Sequence, residues 1–183
     1  MAVQPVRLYG DPVLRQKAAE VVRVDDQVQS LIEDLRDTMR AYRGVGLAAN
    51  QVGVPLRVLV VDVPIEDGRR LQLAVVNPVL SERVGSEVGE EGCLSIPGVF
   101  EDVRRPRRVH VKGWDEEGRP LDLVAEGYLA RAFQHEVDHL EGVLFVDRLS
   151  PLRRQFLRKS LDALARGELP EGYEHPGVPG GSL

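Results

Sequence analysis

Three stretches of the chain repeat apolar residues at the spacing of an α-helix. Residues 26–44 and 127–142 each place an apolar position every three or four residues, which predicts two amphipathic helices. Ser150-Pro151 has the form of an N-cap followed by proline at the first helical position, and it predicts a third helix over 151–166. Asp11-Pro12 has the same form and predicts a short helix near the start.

Between these helices the pattern changes to short β-branched runs. Residues 57–63 and 71–76 are bounded by prolines, the second by the pair Asn77-Pro78, and they predict two strands. Residues 109–114 and 121–124 flank an Asp-Glu-Glu-Gly turn and predict a hairpin. Because helical spacing and short strand-like runs follow one another along the same chain, the sequence predicts a single α+β domain.

The last residues have a different composition. From Gly167 onward the chain is rich in glycine, proline and polar residues. Such segments bury too little apolar surface to offset the entropy of ordering. We therefore expect a single domain over residues 1–166 and a flexible tail over 167–183.

Composition and charge narrow the function classes. The net charge of −5 is not typical of a nucleic-acid-binding chain, so no DNA partner is expected. The single cysteine excludes an intramolecular disulfide and suits a reducing compartment. No apolar run approaches the roughly 18 residues of a membrane helix, and residues 1–15 do not form a signal peptide. We expect a cytoplasmic protein with no membrane partner, or an organellar one if a targeting segment was removed.

The strongest chemical pattern is His135-Glu136-Val137-Asp138-His139, which lies inside the second predicted helix. Residues four apart share a helix face, so both imidazoles can bind one metal ion. Glu136 follows the first histidine and can act as general base toward a water molecule. The alternative is a surface helix that carries two histidines by chance.

A catalytic metal site of this type needs a third protein ligand. The extended pattern of metalloproteases would place it downstream, where this chain has Phe145, which cannot ligate, and His175 in the expected tail. Upstream, Cys93 lies in Glu90-Glu91-Gly92-Cys93-Leu94-Ser95-Ile96-Pro97, which is typical of a tight extended loop rather than a strand interior. A free cysteine is otherwise most often a small buried apolar residue, and that interpretation stays open.

A third segment, Gly44-Val45-Gly46-Leu47-Ala48-Ala49-Asn50-Gln51, combines small residues with one amide. Gly46 leaves room for another backbone to approach, such as a substrate strand. Gln51 offers a neutral hydrogen-bond donor. Taken alone, the segment is better explained as a connection between a helix and a strand.

Together the three segments resemble the peptide deformylases. The motifs of that family are G-φ-G-φ-A-A-x-Q, E-G-C-φ-S and Q-H-E-x-D-H, where φ is apolar. Residues 44–51, 91–95 and 134–139 match them in this order without exception. The resemblance extends from about residue 5 to 161, and Ile96-Pro97 is similar to the type 1 branch.

The resemblance implies a fold and a reaction. The fold is α+β, with mixed or antiparallel strands packed around a central metal-binding helix, an N-terminal amphipathic helix and a C-terminal helix. The reaction is hydrolysis of the N-formyl group from the N-terminal methionine of newly synthesised proteins, with release of formate. The cofactor is one divalent metal ion, with Fe²⁺ expected, while Zn²⁺, Ni²⁺ and Co²⁺ also suit one cysteine and two histidines.

The resemblance also implies roles for particular residues. Glu136 would act as general base and then as acid, and Gln51 with the backbone N–H of Leu94 would hold the formyl oxygen. Glu91 and Asp138 are candidates to hydrogen-bond the liganding histidines. The implied metal ligands are Cys93, His135 and His139.

The family binds its peptide as an extended strand, which implies main-chain contacts around Val45 and Gly46. An apolar pocket beside them takes the methionine side chain. Val45, Leu94 and Phe133 are candidates to line it, although Phe133 suits the core equally well.

Other functions remain open at this point. A zincin endopeptidase would require a third metal ligand downstream of the two histidines. A non-catalytic metal-binding module would close its site with a fourth protein ligand. A deformylase-like enzyme with altered acyl specificity has the same sequence pattern.

The third predicted helix also suggests a partner. It contains five basic residues against one acid, Asp162, in a protein that is acidic overall. We predict that this helix, 151–166, contacts ribosomal RNA near the exit tunnel. Arg104, Arg105, Arg107 and Arg108 could extend its surface, although such runs usually just flank a strand. A core-packed helix with a solvated basic face is an equal alternative. The basic residues of the helix are Arg153, Arg154, Arg158, Lys159 and Arg166.

Overall fold

The computed structural model describes residues 2–176, and the third helix begins at its predicted cap, Ser150. Helix α1 (Asp26–Ala41) begins after Asp25, whose carboxylate accepts a hydrogen bond from the Val28 backbone N–H at 3.0 Å. Helix α3 (Pro151–Ala165) begins after Ser150, whose hydroxyl accepts from Arg153 N–H at 3.2 Å. Both caps satisfy backbone donors that a helix start leaves free. Helix α2 (Gly127–Leu140) contains the two histidines.

Within residues 2–176, five strands form one antiparallel sheet in the order β1-β2-β3-β6-β7. Two further strands, β4 and β5, pair as a separate antiparallel hairpin. The predicted strands and hairpin over 57–63, 71–76, 109–114 and 121–124 are confirmed as parts of this sheet. The strands are β1 (Gly46–Ala48), β2 (Val58–Pro64), β3 (Arg70–Val84), β4 (Glu87–Cys93), β5 (Ile96–Arg105), β6 (Arg108–Trp114) and β7 (Pro120–Glu126).

The sheet is covered by a helix on each face, which explains why β2 is apolar at successive positions. Val58 and Val60 pack with α1, in a cluster that includes Ile32 and Leu35. Leu59 and Val61 pack with α2 on the other face. A strand buried on both faces reads as a continuous apolar run rather than an alternating one. Helix α2 thus lies against the middle of the sheet, where its position is fixed.

Strand β3 differs from its prediction because it does not end at Asn77-Pro78. It continues to Val84 through a bulge between Val76 and Val79. Asn77 adopts a positive φ of 53°, and its side-chain amide exchanges two 2.8 Å hydrogen bonds with the Val21 backbone. A bulge leaves a residue outside the ladder, which is where a strand accommodates proline.

The prediction of an extended loop around Cys93 was also wrong. Cys93 is the last residue of β4, and a tight turn at Leu94-Ser95 leads directly into β5. β4 lacks the apolar alternation that identifies strands in a sequence, because its one buried side chain is the ionic Glu91, and the buried apolar residues of the hairpin belong to β5. The hairpin arrangement holds the cysteine against α2 on a paired backbone.

Helix α3 packs on the outer side of the hairpin. Leu161 and Leu164 are buried in a cluster with Ile96, Val103 and Phe145. This confirms the third helix, which ends one residue before the predicted limit.

The arginines of β5 and its turn do not form the continuous basic surface that was predicted. Arg105 is only 4% exposed and is ion-paired inside the protein, so it cannot extend a docking surface. Side chains alternate in direction along β5, so that of Arg105 is buried and that of Arg104 is exposed.

After α3 the chain turns back across the protein. His175 Nδ1 lies 2.8 Å from the Tyr42 hydroxyl, at the end of α1. Residues 177–183 of the predicted tail lie outside the described residues, and the tail's flexibility stays a prediction. Across residues 2–176 there is no helix of the length and apolarity that a bilayer crossing requires.

Candidate active site

Helix α2 and the end of β4 bring the three predicted metal ligands together. His135 and His139 lie one turn apart, and their Nε2 atoms are 3.3 Å from each other. Cys93 Sγ lies 3.3 Å from His139 Nε2. The three ligand atoms all lie within 4.8 Å of one another. The predicted set therefore forms one cluster, although its members are up to 46 residues apart in sequence.

This cluster fits a mononuclear metal ion. Nitrogen and sulfur ligands at about 2.1 and 2.3 Å from a tetrahedral ion lie roughly 3.3–3.7 Å apart. The separations of 3.3 Å between the two nitrogens and between nitrogen and sulfur agree with that spacing. One thiolate and two imidazoles leave a fourth position for water or substrate, as in catalytic rather than structural sites.

The downstream alternatives are not part of the cluster. Phe145 stacks on the ring of His135, with centroids 6.0 Å apart, and so supports a ligand instead of replacing one. His175 contacts Tyr42 and Tyr173. An endopeptidase of the zincin class would take its third metal ligand from one of these two downstream positions. In this protein both residues make other contacts instead.

A buried ionic network orients His135. Glu91 Oε1 lies 2.8 Å from His135 Nδ1, which leaves Nε2 directed at the cluster. The same carboxylate accepts two hydrogen bonds from Arg105, at 2.6 and 2.9 Å, and one from Arg131 at 2.7 Å. Burial opposes the charge of Glu91, but the hydrogen bonds from His135 and Arg105 outweigh it and hold its pKa well below the usual range.

The two histidines have opposite protonation tendencies. Burial lowers the pKa of His135, but hydrogen bonds with Cys93 and Glu91 reverse this and raise it well above the ordinary value. Burial and the neighbouring charge of His135 both lower the pKa of His139. A neutral imidazole is the form that binds a metal.

Of the two residues suggested as histidine partners, the structure brings only Glu91 to a histidine. Asp138 accepts hydrogen bonds from Arg105 at 2.8 Å and from Arg148 at 2.8 Å. It therefore positions Arg105, which in turn hydrogen-bonds Glu91. The sequence did not identify Arg105 or Arg131 as a member of this buried network. Arg131 precedes His135 by four residues, and that helical spacing was a signal that the two share a face.

Glu136 occupies the predicted place beside the cluster. It is 5% exposed, and burial raises its pKa to about 7. Within the described part of the chain, its Oε2 has no hydrogen-bond partner. A buried carboxyl group with a pKa near neutrality can accept a proton and return it within one catalytic cycle.

Gly46 has a further role besides the one expected. A β-carbon at this position would lie 2.6 Å from Glu136 Oε1. The missing side chain therefore also makes room for the carboxylate of Glu136. The carboxylate fits against the β1 backbone because residue 46 is glycine.

Gln51 is oriented by two contacts at opposite ends of its amide. Its Oε1 accepts from the Ala48 N–H at 3.0 Å, which fixes the amide orientation. Its Nε2 donates to Ser95 Oγ at 3.1 Å and lies 3.6 Å from Cys93 Sγ. The donor thus points at the cluster, and Leu94 follows Cys93 in the adjoining turn. Ser95 belonged to a recognised motif, but its contact with Gln51 was not anticipated.

A cavity of about 880 Å³ opens over these residues. Phe133 does not line it, because its fully buried ring packs between α2 and the sheet, which settles its role as core. Arg131, Ala132 and Tyr128 line the α2 side. The predicted site residues on the wall are Val45, Gly46, Gln51, Cys93, Leu94, His135 and Glu136.

Comparison with known proteins finds one family. The family profile described as polypeptide deformylase matches residues 3–155. A peptide deformylase of Alkalilimnicola ehrlichii is 48% identical over 166 residues, which cover 91% of this chain and 93% of that protein. Peptide deformylase 1 of Corynebacterium efficiens is 52% identical over 157 residues, covering 85% and 92%.

Solved structures agree with the sequence relatives. The crystal structure of peptide deformylase from Thermus thermophilus superposes with a TM-score of 0.83 at 46% identity, covering 90% of this chain and 99% of that one. The Ehrlichia chaffeensis peptide deformylase in complex with actinonin superposes with a TM-score of 0.83 at 36% identity, covering 93% and 100%.

Proposed function

This chain belongs to the polypeptide deformylase family, and from that premise we propose that Cys93, His135 and His139 hold its metal ion while Glu136 acts as general base. The protein is a metal-dependent hydrolase that removes the N-formyl group from nascent peptides. The observation that supports the residue assignment most strongly is that the three ligand atoms lie within 4.8 Å of one another beside a buried carboxylate.

We propose Fe²⁺ as the physiological ion. The donor set of one thiolate and two imidazoles also suits Zn²⁺, Ni²⁺ and Co²⁺, so selectivity depends on supply and on the surrounding residues. An iron-bound thiolate next to an open position is exposed to oxidants. The iron-loaded enzyme is therefore expected to lose activity during aerobic incubation without reductant, whereas the zinc-loaded enzyme should keep the activity it has.

The residues divide the reaction between them. The metal ion, when bound, activates water and polarises the formyl carbonyl group. Glu136 accepts the proton of the attacking water and returns it to the amine that leaves as the free N-terminus. Gln51 Nε2 and the Leu94 N–H donate to the formyl oxygen as it gains negative charge, a contribution that grows in the transition state.

The edge of the sheet provides a place for the peptide. β1 is an edge strand, and the carbonyl of Val45, the residue before it, accepts from Asp62 N–H of β2 at 2.8 Å. Successive residues of an antiparallel strand alternate in direction, so the next residue, Gly46, turns its N–H and C=O toward the cleft. We propose that the formylated peptide adds to β1 as an extended strand.

The experiment is a formate-release assay on a formyl-Met tripeptide with the acetylated tripeptide as matched control. The iron-loaded protein should release formate at least a hundredfold faster than acetate. Comparable rates on both would contradict deformylation as the selected reaction, and no release from either would contradict the whole site assignment.

We also propose that α3 docks the enzyme on ribosomal RNA. Leu152 and Phe156 remain 62% and 71% exposed on this helix, beside the unburied cations Arg154, Arg158 and Lys159. Arg153 is excluded from the proposed contact because its guanidinium is paired with Glu101 at 2.6 Å.

Replacing Arg154, Arg158 and Lys159 with Gln should weaken co-sedimentation with ribosomes and reduce its salt dependence. A matched control replaces Arg69, Arg83 and Lys112, which are exposed cations elsewhere on the surface. Equal loss in both variants would indicate non-specific attraction, and no loss in either would refute docking through α3.

A further inference from the structure

The chain after α3 crosses one end of the catalytic cleft. His175 is anchored to the Tyr42 hydroxyl at 2.8 Å on one wall. Pro170 lies beside Gly98 of β5 on the other wall, 3.5 Å from where a β-carbon of that glycine would be. We call residues 170–176 the strap. It lies beyond residues 3–155, the part that matches the family profile.

The strap lines the cleft between Tyr42 and Gly98, and we call this part of the cleft the outer end. Gln51 folds over Ala48 at the C-terminal end of β1, next to the cluster. In the opposite direction the chain runs from Gly46 back to Tyr42, where the strap is attached. This stretch contains a turn, and Tyr42 and Gly46 line the same cavity as Tyr173 of the strap. A peptide on β1 with its formyl group at Gln51 must therefore run toward the strap.

The outer end is lined by apolar groups from three elements. Phe100 of β5 is 62% exposed, although it is a large aromatic residue, and it faces the cavity together with Leu94 and Pro97. Tyr173 of the strap lines the same cavity, and its ring packs edge-on against His175 with centroids 5.1 Å apart. This contact holds the Tyr173 ring in one orientation at the cavity wall.

We propose that the strap completes a subsite for a large apolar side chain in the second or third residue of the peptide, with Tyr173 as its specificity-determining residue. The inference rests on the proposed function, because it assumes that the formylated peptide lies along β1. Residues that follow methionine by one or two positions reach the outer end, where an aromatic or branched side chain is enclosed by Tyr173, Phe100 and Pro97.

The test compares kcat/KM for formyl-Met-Phe-Phe-Ser with that for formyl-Met-Ser-Ser-Ser. The parent enzyme should prefer the first peptide, and Tyr173→Ala should reduce the ratio about fivefold, as expected for loss of one aromatic contact. Tyr173→Phe should retain the ratio, since the ring and not the hydroxyl makes the contact. Glu171→Ala is the matched control, because Glu171 is exposed in the strap and does not line the cavity.

A direct readout is inhibition by the product peptide Met-Phe-Phe-Ser, which Tyr173→Ala should weaken by a similar factor. An unchanged ratio in Tyr173→Ala, with both peptides still hydrolysed, would overturn the inference and leave deformylation intact. An equal gain on both peptides would also overturn it, because the strap would then only obstruct the cleft. Failure of the parent to hydrolyse either peptide would instead contradict the proposed function.

Discussion

The two ends of the cleft are held by different kinds of interaction. Around the metal ligands, Glu91 is surrounded by His135, Arg105 and Arg131, and all four side chains are at most 11% exposed. At the outer end, Tyr42 and His175 share one hydrogen bond, and Phe100 faces open space. Buried charges that are fully paired have only one low-energy arrangement. The weak apolar contacts at the outer end do not impose a single arrangement on the groups that meet there.

This difference matches two demands on the enzyme. Hydrolysis requires groups fixed to within a fraction of an ångström, which the ionic network supplies. Nascent chains differ in every residue after methionine, so the preference that we propose for the outer end has to be a modest one that still allows other side chains. The comparison can be tested by removing groups from each end, and we expect the effects to decrease from the inner to the outer end.

The largest effect is expected from His139→Ala, which removes a metal ligand. Metal content measured by elemental analysis should fall well below one ion per chain, and formate release should fall to background. The control Gln29→Ala changes an exposed residue of α1 and should retain both. Full occupancy in His139→Ala would remove this histidine from the ligand set.

Glu136→Ala should separate chemistry from metal binding. Because the role that we propose for this carboxylate is to move protons and not to bind the metal ion, metal content should stay near that of the parent. Formate release should fall at least ~10²-fold, the contribution of a general acid–base group. Retained turnover at full occupancy would show that another group is the base.

Glu91→Gln should damage both stability and metal affinity. The variant leaves Arg105 and Arg131 buried without a full counter-charge, which costs about 3–5 kcal/mol in unfolding free energy. Loss of the partner of His135 should weaken metal binding roughly 10–100-fold. Urea denaturation and metal titration measure the two effects.

The matched control is Glu101→Gln. Glu101 lies opposite Glu91 in the backbone pairing of the β4–β5 hairpin. Glu101 pairs with Arg153, which is 52% exposed, so the expected cost is at most about 1 kcal/mol. Similar losses in both variants would mean that the buried network has no special role.

Gly46→Ala should affect the base without removing it. Its β-carbon would lie 2.6 Å from Glu136 Oε1, so the carboxylate has to move. We expect formate release to fall about tenfold, since displacement of a positioned group by an ångström is costly. Metal content should be unchanged, and a parent-like rate would show that Glu136 has room to adjust.

The smallest effect belongs to the outer end. Tyr42→Phe removes the hydroxyl that binds His175, and the loss of about 1 kcal/mol should raise the open population of the strap about fivefold. Limited proteolysis within residues 168–176 should accelerate by that factor. The hydroxyl also accepts from Val6 N–H at 3.2 Å, so the melting temperature is the control for wider effects.

The sequence by itself determined the three long helices, four of the five strands of the main sheet and the identity of the cluster, but not β1 or the full length of β3. Asp25 and Ser150 cap helices by local chemistry, and apolar periodicity records which faces are buried, so both can be read from neighbouring residues. The spacing of His135 and His139 is likewise a local property of a helix. Cys93 and Gln51 were identified through motif resemblance, since their own neighbours left other interpretations open.

Only the tertiary structure decided which side chains meet across distant segments. Arg105, expected on a basic surface, is buried because β5 turns it toward Glu91. Phe133 belongs to the core because α2 presents it to the sheet and not to the cleft. The role of Gly46 depends on where Glu136 lies, and that of Tyr173 on where the strap crosses. Such contacts depend on packing between elements far apart in the chain, which the sequence of each element does not encode.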